Sequence, residues 1–312
     1  MTTPQLKDRI LSGDLRALAR AASLIENQTQ AGRDIVASLF SQTGRAAVIG
    51  ITGPPGAGKS TLVNEMTRTL RSQGEKVGII AVDPSSPYSK GAILGDRIRM
   101  NEHHADPNVF IRSTATRGRL GGTAESTMEL ALLLDAAGYN TLLVETVGVG
   151  QDEVEIARLA DVTLLVLVPG LGDDVQAIKA GIMEIADVFA INKADLPGAD
   201  RLESEIRHMQ SLAPAAQRQE SAPIRRVIAT EGKGIDDLLA VVRVVYQTRG
   251  KKQQAELWSV RLREMMRDRL LRSLSEEDLR RHAVKVAERK EDPYAALDHL
   301  TSAMLSVPEN KA

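Results

Sequence analysis

The chain has 312 residues, a formal net charge of -1 from 40 Lys and Arg against 41 Asp and Glu, and no cysteine. The missing cysteines exclude a disulfide framework, a thiolate metal site and a cysteine nucleophile. The balanced charge and an aromatic content of 3% do not favour a nucleic-acid-binding protein, which usually carries a basic excess or a base-stacking surface.

The N-terminal residues MTTPQLKDRI contain no basic stretch followed by an apolar run, so no signal peptide is predicted. The longest strand-like apolar run, residues 162–168, is too short to cross a bilayer. We therefore expect a cytoplasmic protein with no membrane partner.

The first 44 residues are predicted to be a helical extension, because apolar side chains recur there at roughly helical spacing among charged ones. These side chains are Leu6, Ile10, Leu11, Leu15, Leu18, Ile35 and Leu39. We expect the extension to cap the domain that follows, and a partner-binding arm is the alternative.

From residue 45 to residue 249, short apolar runs rich in β-branched residues alternate with longer helical stretches. The runs are residues 46–52, 76–83, 141–146, 162–168, 188–194 and 224–230. This alternation is typical of an α/β fold with a mostly parallel sheet covered by helices on both faces. Because such sheets bind ligands at the carboxyl ends of their strands, the residues that follow each run are the candidates for a site.

A phosphate-binding loop follows the first run. The sequence GPPGAGKS over residues 53–60 matches the pattern G-x-x-x-x-G-K-S between a strand and a helix. Its glycines let backbone N–H groups point at phosphate oxygens, Lys59 would reach the β- and γ-phosphates, and Ser60 would place its hydroxyl on Mg²⁺. The residues expected to contact the nucleotide here are Gly53, Pro55, Gly56, Ala57, Gly58, Lys59, Ser60 and Thr61.

A guanine-specific motif, N-K-x-D, follows the run that begins at residue 188, at Asn192, Lys193 and Asp195. The Asp195 carboxylate can accept two N–H bonds from guanine, a pair that adenine does not offer, and Lys193 would lie across the base. Ala229 and Thr230 follow the last run, where GTPases usually have a Ser-Ala loop behind the base. Together with the phosphate loop, this motif predicts binding of GTP and GDP.

The strand ending in Glu145 is expected to supply the metal and the γ-phosphate contacts. Glu145 is followed by Gly148, whose N–H would meet the γ-phosphate, but Val149 stands where Ras-type GTPases have a water-orienting Gln, and Gln151 comes two residues later. We therefore expect slow intrinsic hydrolysis that a partner accelerates. The loop ends at Gln151, which we include among the switch and partner candidates.

Two further carboxylates, Asp83 and Asp96, are candidate Mg²⁺ ligands, since Mg²⁺ prefers a few carboxylates and several waters. Taken singly, each is better explained as a helix cap or a salt-bridge partner.

Residues 250–312 are again predicted to be helical. Apolar side chains form a stripe at Trp258, Leu262, Met265, Met266, Leu270 and Leu274. Ser275 precedes three acidic residues, which predicts a helix N-cap followed by an acidic first turn. The pattern itself leaves two interpretations open, a tail packed on its own domain and a dimerisation arm.

Several blocks of sequence together resemble the MeaB/ArgK family of methylmalonyl-CoA mutase-associated GTPases, which is similar to the human MMAA protein. The blocks are residues 82–87 (VDPSSP), 93–101 (ILGDRIRMN), 120–122 (LGG), 144–151 (VETVGVGQ) and 172–181 (GDDVQAIKAG). The segment at residues 112–118 departs from the family pattern, which often shows Pro and Ser there.

The resemblance implies a P-loop GTPase that acts as a chaperone for an adenosylcobalamin-dependent acyl-CoA mutase, gating cofactor loading, protecting the mutase and helping to eject inactivated cofactor. It implies that Asp83, Asp96 and Glu145 are metal-shell or catalytic carboxylates. Lys59 of the phosphate loop and Gly148 after the strand complete the expected catalytic set with Asp83 and Glu145. The resemblance also implies that residues 172–181, with Asp173, Asp174 and Lys179, form a switch loop toward the mutase, and that the C-terminal helices form a homodimer arm. The cobalamin would be held by the mutase.

Two alternatives stay open. A nickel- or other metal-insertion GTPase would hold its ion with Cys and His, but Cys is absent and only His103 and His104 adjoin among the histidines. Because neighbouring side chains on a helix point apart, we interpret that pair as solvated or N-capping. The other alternative is a nucleotide-dependent scaffold with little turnover.

Overall fold

The protein is described from a computed structural model, which covers residues 2–83, 101–103, 105–115, 122–146, 159–170, 186–212, 221–248 and 251–306. Seven strands form one sheet: β1 (Ala47–Thr52), β2 (Val77–Asp83), β3 (Val109–Ala115), β4 (Thr141–Thr146), β5 (Val162–Leu167), β6 (Val188–Ile191) and β7 (Ile224–Arg226). The helices are α1 (Thr3–Leu11), α2 (Leu15–Glu26), α3 (Gln30–Leu39), α4 (Lys59–Ser72), α5 (Gly122–Ala136), α6 (Ala199–Leu212), α7 (Ile235–Thr248), α8 (Lys251–Ser273), α9 (Glu276–Ala287) and α10 (Pro293–Ser306).

All neighbouring strands of the sheet run parallel, in the order β3-β2-β4-β1-β5-β6-β7. The strands β4, β5 and β6 are buried along their whole length, because both faces of the sheet are covered. Helices α4 and α7 pack on one face, and α5 and α6 cover the other. The predicted α/β architecture, a P-loop fold with a parallel sheet between helical layers, is confirmed.

Helices α1, α2 and α3 pack outside α5 and share a continuous apolar core with it. Their connection to β1 is fixed by Asp135 of α5, whose carboxylate accepts backbone N–H groups of Gly44, Arg45 and Ala46. The N-terminal helices therefore lie against the sheet-covering layer. The domain limits at residues 44 and 249 stay a prediction.

Three details of the sequence analysis differ from the structure. Strand β3 was not among the predicted runs, because polar residues follow its first three apolar ones and Arg112 forms an ion pair with Glu26 of α2. The run at residues 224–230 is a strand only as far as Arg226, and Ala229 begins a short 3₁₀ helix. The run at residues 188–194 is a strand only as far as Ile191.

The expectation of a solvated His103 is also wrong. This side chain is buried, and its Nε2 lies 3.3 Å from the backbone oxygen of Asn64. His104 lies outside the described residues.

The C-terminal segment begins with α8, whose apolar stripe divides between two environments. Trp258 and Met265 pack against a small buried cluster formed by Met128 of α5 and Leu159, whereas Leu262 and Met266 are 58% and 60% exposed. The predicted cap at Ser275 is confirmed, since its hydroxyl accepts the backbone N–H of Asp278 and α9 begins with three acidic residues. No described helix has both the length and the apolar character that crossing a membrane requires.

Candidate functional site

The phosphate loop joins the end of β1 to the start of α4 in the centre of the sheet. Its glycines adopt positive φ angles, +147° at Gly53, +77° at Gly56 and +83° at Gly58. A Cβ on Gly53 would lie 2.2 Å from the backbone oxygen of Val166, so the loop passes too close to β5 for any side chain. The helix that follows directs its N-terminal N–H groups toward this loop, which is the arrangement that attracts phosphate.

Lys59 begins α4 and is buried, with its ammonium group inside the curve of the loop. Its Nζ donates to the backbone oxygens of Gly53 at 2.7 Å and Pro54 at 3.1 Å. An ammonium group at this place is well matched to an anionic ligand, because a charge-assisted hydrogen bond is stronger than a neutral one. The cation thus lies where the loop would enclose phosphate oxygens.

Ser60 and Glu145 come together next to Lys59. The Ser60 hydroxyl donates to Glu145 Oε1 at 2.6 Å, and the Glu145 side chain is buried near the end of β4. Because Ile51 of β1 is in register with Glu145, the parallel pairing of β1 and β4 brings these residues together from positions 85 residues apart. A hydroxyl and a carboxylate are oxygen donors of the kind that Mg²⁺ prefers, so this pair fits the ion expected with a nucleotide.

Asp83 ends β2, which pairs with β4 at the same carboxyl edge of the sheet. Its backbone is described, and its side chain lies outside the described residues. The other predicted metal, catalytic and switch residues also lie outside them. These are Asp96, Gly148, Gln151, Asp173, Asp174 and Lys179.

Asn192, at the end of β6, links the predicted base-binding loops to the phosphate loop. Its side chain is 2% exposed. Nδ2 donates to the backbone oxygen of Ala57 at 2.9 Å, while Oδ1 accepts from the backbone N–H groups of Lys193 at 2.8 Å and Ala229 at 3.1 Å. One buried amide thereby holds three loops, and each of its bonds lies in a region where an unpaired group would be costly.

Lys193 extends this connection along the surface. Its backbone has a φ of +52°, and its exposed side chain reaches back so that Nζ donates to the backbone oxygen of Gly56 at 3.0 Å. The aliphatic part of Lys193 therefore lies across the space between the phosphate loop and the turn that carries Asp195, where a base would be covered.

Asp195 is exposed in the turn after β6, close enough to Lys233 to contribute to that ammonium's raised pKa, although the main cause is the hydrogen bond from Lys233 to Glu231. Ala229 is buried at the start of the 3₁₀ helix and Thr230 is exposed beside it. Pro55 and Thr61 are exposed at the outer side of the phosphate loop. The structure thus gathers every described member of the predicted nucleotide set at one edge of the sheet.

The hydrogen bonds that join the two motifs could not be predicted from the sequence. The acceptors are backbone oxygens of Gly56 and Ala57, which leave no trace in residue type. The indirect signal is Gly58, since a Cβ there would lie 2.5 Å from Asn192 Nδ2. A glycine at that position is needed both for the positive φ and for the approach of Asn192.

Comparison with known proteins gives a consistent result. A family model described as "Methylmalonyl Co-A mutase-associated GTPase MeaB" matches residues 18–287. A Pyrococcus abyssi protein is 42% identical over 98% of this chain and 99% of its own length. GTPase ArgK of Escherichia coli K12 is 37% identical, covering 88% of this chain and 84% of its own.

Similarity extends to a mouse protein and to a crystal structure. The mouse protein, "Methylmalonic aciduria type A homolog, mitochondrial", is 35% identical over 75% of this chain and 60% of its own length. A crystal structure described as "LAO/AO transport system kinase" superposes with a TM-score of 0.70 at 27% identity, covering 97% of this chain and 98% of the other. The fold is therefore shared with this crystal structure over nearly the full length of both chains.

Proposed function

The chain belongs to the family of methylmalonyl-CoA mutase-associated GTPases, and we propose that it is a slow cytoplasmic GTPase that acts on an adenosylcobalamin-dependent acyl-CoA mutase. It gates cofactor loading of this mutase, protects the mutase and reactivates it. The observation that carries the GTPase part is the buried amide of Asn192, which joins the guanine motif to the phosphate loop. The mutase part rests on the description of the family and on the name of the mouse relative. The cobalamin is held by the mutase.

In this proposal the phosphates of GTP lie in the loop of residues 53–60 and replace the backbone oxygens as partners of the Lys59 ammonium. Ser60 and Glu145 would hold Mg²⁺, with Asp83 and Asp96 completing the carboxylate set. An ion held by these residues would supply positive charge that neutralises the phosphates. The N–H of Gly148 would donate to the γ-phosphate.

Guanine specificity comes from Asp195, whose carboxylate accepts both the ring N–H and the exocyclic amine. Lys193 covers one face of the base, and Ala229 and Thr230 lie behind it. Once the bound base covers Asp195, adenine would leave this acceptor pair unsatisfied, which accounts for discrimination between the two purines.

Slow turnover follows from Val149, which cannot orient a water molecule because it has no polar side-chain atom. Partner acceleration is proposed to act through Gln151 and through Asp173, Asp174 and Lys179 of the switch loop. The mutase, as this partner, would then complete the site in the complex of the two proteins.

A homodimer is proposed for the C-terminal helices. Leu262 and Met266 of α8 are more than half exposed, and so are Val284 of α9 and Tyr294 and Leu297 of α10. A set of large apolar side chains exposed on consecutive helices is typical of a protein–protein contact.

The test is GTP hydrolysis by the full chain with Mg²⁺, alone and with a purified apo acyl-CoA mutase. We expect slow hydrolysis alone, a several-fold faster rate with the mutase and nucleotide-dependent binding of the two proteins. Lys59→Ala should abolish hydrolysis in both conditions, because it removes the phosphate-facing cation. Lys76→Ala, which changes an exposed lysine at the opposite end of β2, should hydrolyse GTP like the wild type.

Two results would contradict the proposal separately. Hydrolysis that no acyl-CoA mutase accelerates, with no nucleotide-dependent binding, would overturn the mutase part and leave the GTPase part standing. GTP binding with no hydrolysis in either condition would instead indicate a nucleotide-dependent scaffold.

A further inference from the structure

Three side chains of metal-binding type converge in the C-terminal helices, on elements that contribute no residue to the nucleotide site. His282 lies on α9, Glu291 lies between α9 and α10, and His299 lies on α10. Each offers one ligand atom, and these atoms all lie within 4.8 Å of one another. In the part of the chain that the structure describes, no other group of three His, Asp or Glu side chains meets this condition.

The carboxylate of Glu291 is shared between the two imidazole rings. Its Oε2 lies 2.7 Å from Nδ1 of His282, and its Oε1 lies 2.7 Å from Nδ1 of His299. The ring centroids are 5.7 Å apart. Both rings therefore direct the same nitrogen, Nδ1, toward one carboxylate.

The cluster is sheltered on one side and open on the other. The side chains of His282 and Glu291 are 10% and 9% exposed, whereas that of His299 is 65% exposed. His282 is the one buried residue of α9, so this helix packs through an imidazole where an amphipathic helix ordinarily uses an apolar side chain. An ion could enter from the side of His299.

We propose that His282, Glu291 and His299 bind one divalent transition-metal ion of the imidazole-preferring class, for which Zn²⁺ is the representative. Two imidazoles and one carboxylate form a known ligand set for Zn²⁺, which takes His nitrogens at about 2.0–2.1 Å. Two nitrogens on one tetrahedral ion are then separated by about 3.3 Å, so the three ligand atoms, which lie within 4.8 Å of one another, would draw closer around the ion. Three protein ligands leave one position for water or for a fourth donor.

This site differs from the proposed Mg²⁺ position in ligand chemistry and in place. Ser60 and Glu145 offer oxygen only, which suits Mg²⁺, whereas imidazole nitrogen selects Zn²⁺, Ni²⁺ and related ions. The inference does not rest on the proposed function, because it uses only the contacts between α9, α10 and their connection.

The histidines were not recognised as a group from the sequence, since they do not adjoin and only tertiary packing brings them together. Without an ion, the same geometry is a hydrogen-bonded tie in which two neutral imidazoles donate Nδ1–H to one carboxylate. A metal site and a cluster held only by hydrogen bonds respond differently to added metal.

The experiment is a Co²⁺ titration of the nucleotide-free full chain in excess Mg²⁺, followed by the visible d–d bands, with displacement by Zn²⁺. We expect one Co²⁺ per chain and loss of its bands when one equivalent of Zn²⁺ is added. His299→Ala, which changes the exposed ligand, and Glu291→Gln, which keeps the shape of the side chain, should each weaken binding at least about tenfold.

Matched controls are His208→Ala, an exposed histidine on α6, and Glu288→Gln, an exposed glutamate near Glu291, and both should bind Co²⁺ like the wild type. Circular dichroism of each variant checks that the helices are retained. Absence of stoichiometric d–d bands, or equal affinity in the wild type and both ligand variants, would overturn the proposal and leave a hydrogen-bonded tie.

Discussion

At Gly58, the lack of a side chain is what allows Asn192 to reach the phosphate loop. A Cβ would lie 2.5 Å from Asn192 Nδ2, and the backbone has a φ of +83°. Gly58→Ala is therefore expected to lower GTP affinity at least about tenfold, because the amide that joins the two motifs must move. Isothermal titration with a GTP analogue measures the change.

Gly74 offers a matched control for the backbone strain of an alanine at positive φ. It has the same φ of +83°, and a Cβ there would meet nothing within 4 Å. Gly74→Ala should cost about 1–2 kcal/mol of folding stability and leave GTP affinity unchanged. Equal GTP affinities of Gly58→Ala and Gly74→Ala would show that the close approach of Asn192 to the phosphate loop is not needed for nucleotide binding.

The carboxylate of Asp195 is expected to select guanine over other bases. In Asp195→Asn one acceptor becomes an amide donor, so xanthine, with an oxygen where guanine has its amine, becomes the better partner. We expect GTP to bind on the order of 10²-fold more weakly or worse and XTP to bind better than GTP. Competition between the two nucleotides is the measurement, and Asp236→Asn, an exposed change on α7, should retain the preference for GTP.

At the scale of elements, α5 carries a carboxyl group in the core between the sheet and the N-terminal helices. Glu129 is buried, and this burial raises its pKa from 4.5 to about 7, although the charge of Arg33 on α3 acts in the opposite direction. Between about pH 4.5 and 7 the folded chain holds a proton that the unfolded chain releases. The favourable contribution of Glu129 to the free energy of unfolding is thus fully present below about pH 4.5 and is lost as pH rises through about 7.

The pH dependence of unfolding by urea tests the raised pKa of Glu129. Replacing Glu129 by Gln removes the proton equilibrium, so the stability of the variant relative to the wild type should rise between pH 5 and pH 8 by on the order of 3 kcal/mol or less. Glu277→Gln, an exposed change on α9, should show no such rise. A constant difference between Glu129→Gln and the wild type at both pH values would mean that the carboxyl is ionised throughout.

At the scale of the whole molecule, the exposed half of the α8 stripe is expected to pair two chains. In Leu262→Arg with Met266→Arg, two charges replace apolar side chains that are 58% and 60% exposed. Light scattering after size exclusion should then give one chain mass of 33.8 kDa, against about twice that for the wild type, because a buried charge without a partner opposes association.

The comparison for that experiment is Leu11→Arg with Leu15→Arg, which changes two apolar residues of α1 and α2 that are 44% and 42% exposed. This variant should keep the wild-type mass. A single-chain mass for the unaltered protein would rule out the dimer.

Features that depend on short stretches of chain could be recognised from the order of residues alone. The glycine-rich turn between β1 and α4, the polar turn after β6 and the cap at Ser275 could be predicted, because glycine spacing, strand-like apolar runs and cap chemistry are local properties. Strand β3 could not, since its Arg112 is accommodated by an ion pair with Glu26, which is 86 residues away in the chain.

Contacts between groups far apart in the chain depend on tertiary packing. It placed Ser60 beside Glu145 through the pairing of β1 and β4, buried Glu129 under the N-terminal helices, and divided the α8 stripe into packed and exposed halves. It also brought His282 and His299 to one carboxylate. The reason is that burial and contact across many residues depend on how whole layers pack, whereas residue type fixes only what each group can do once it arrives.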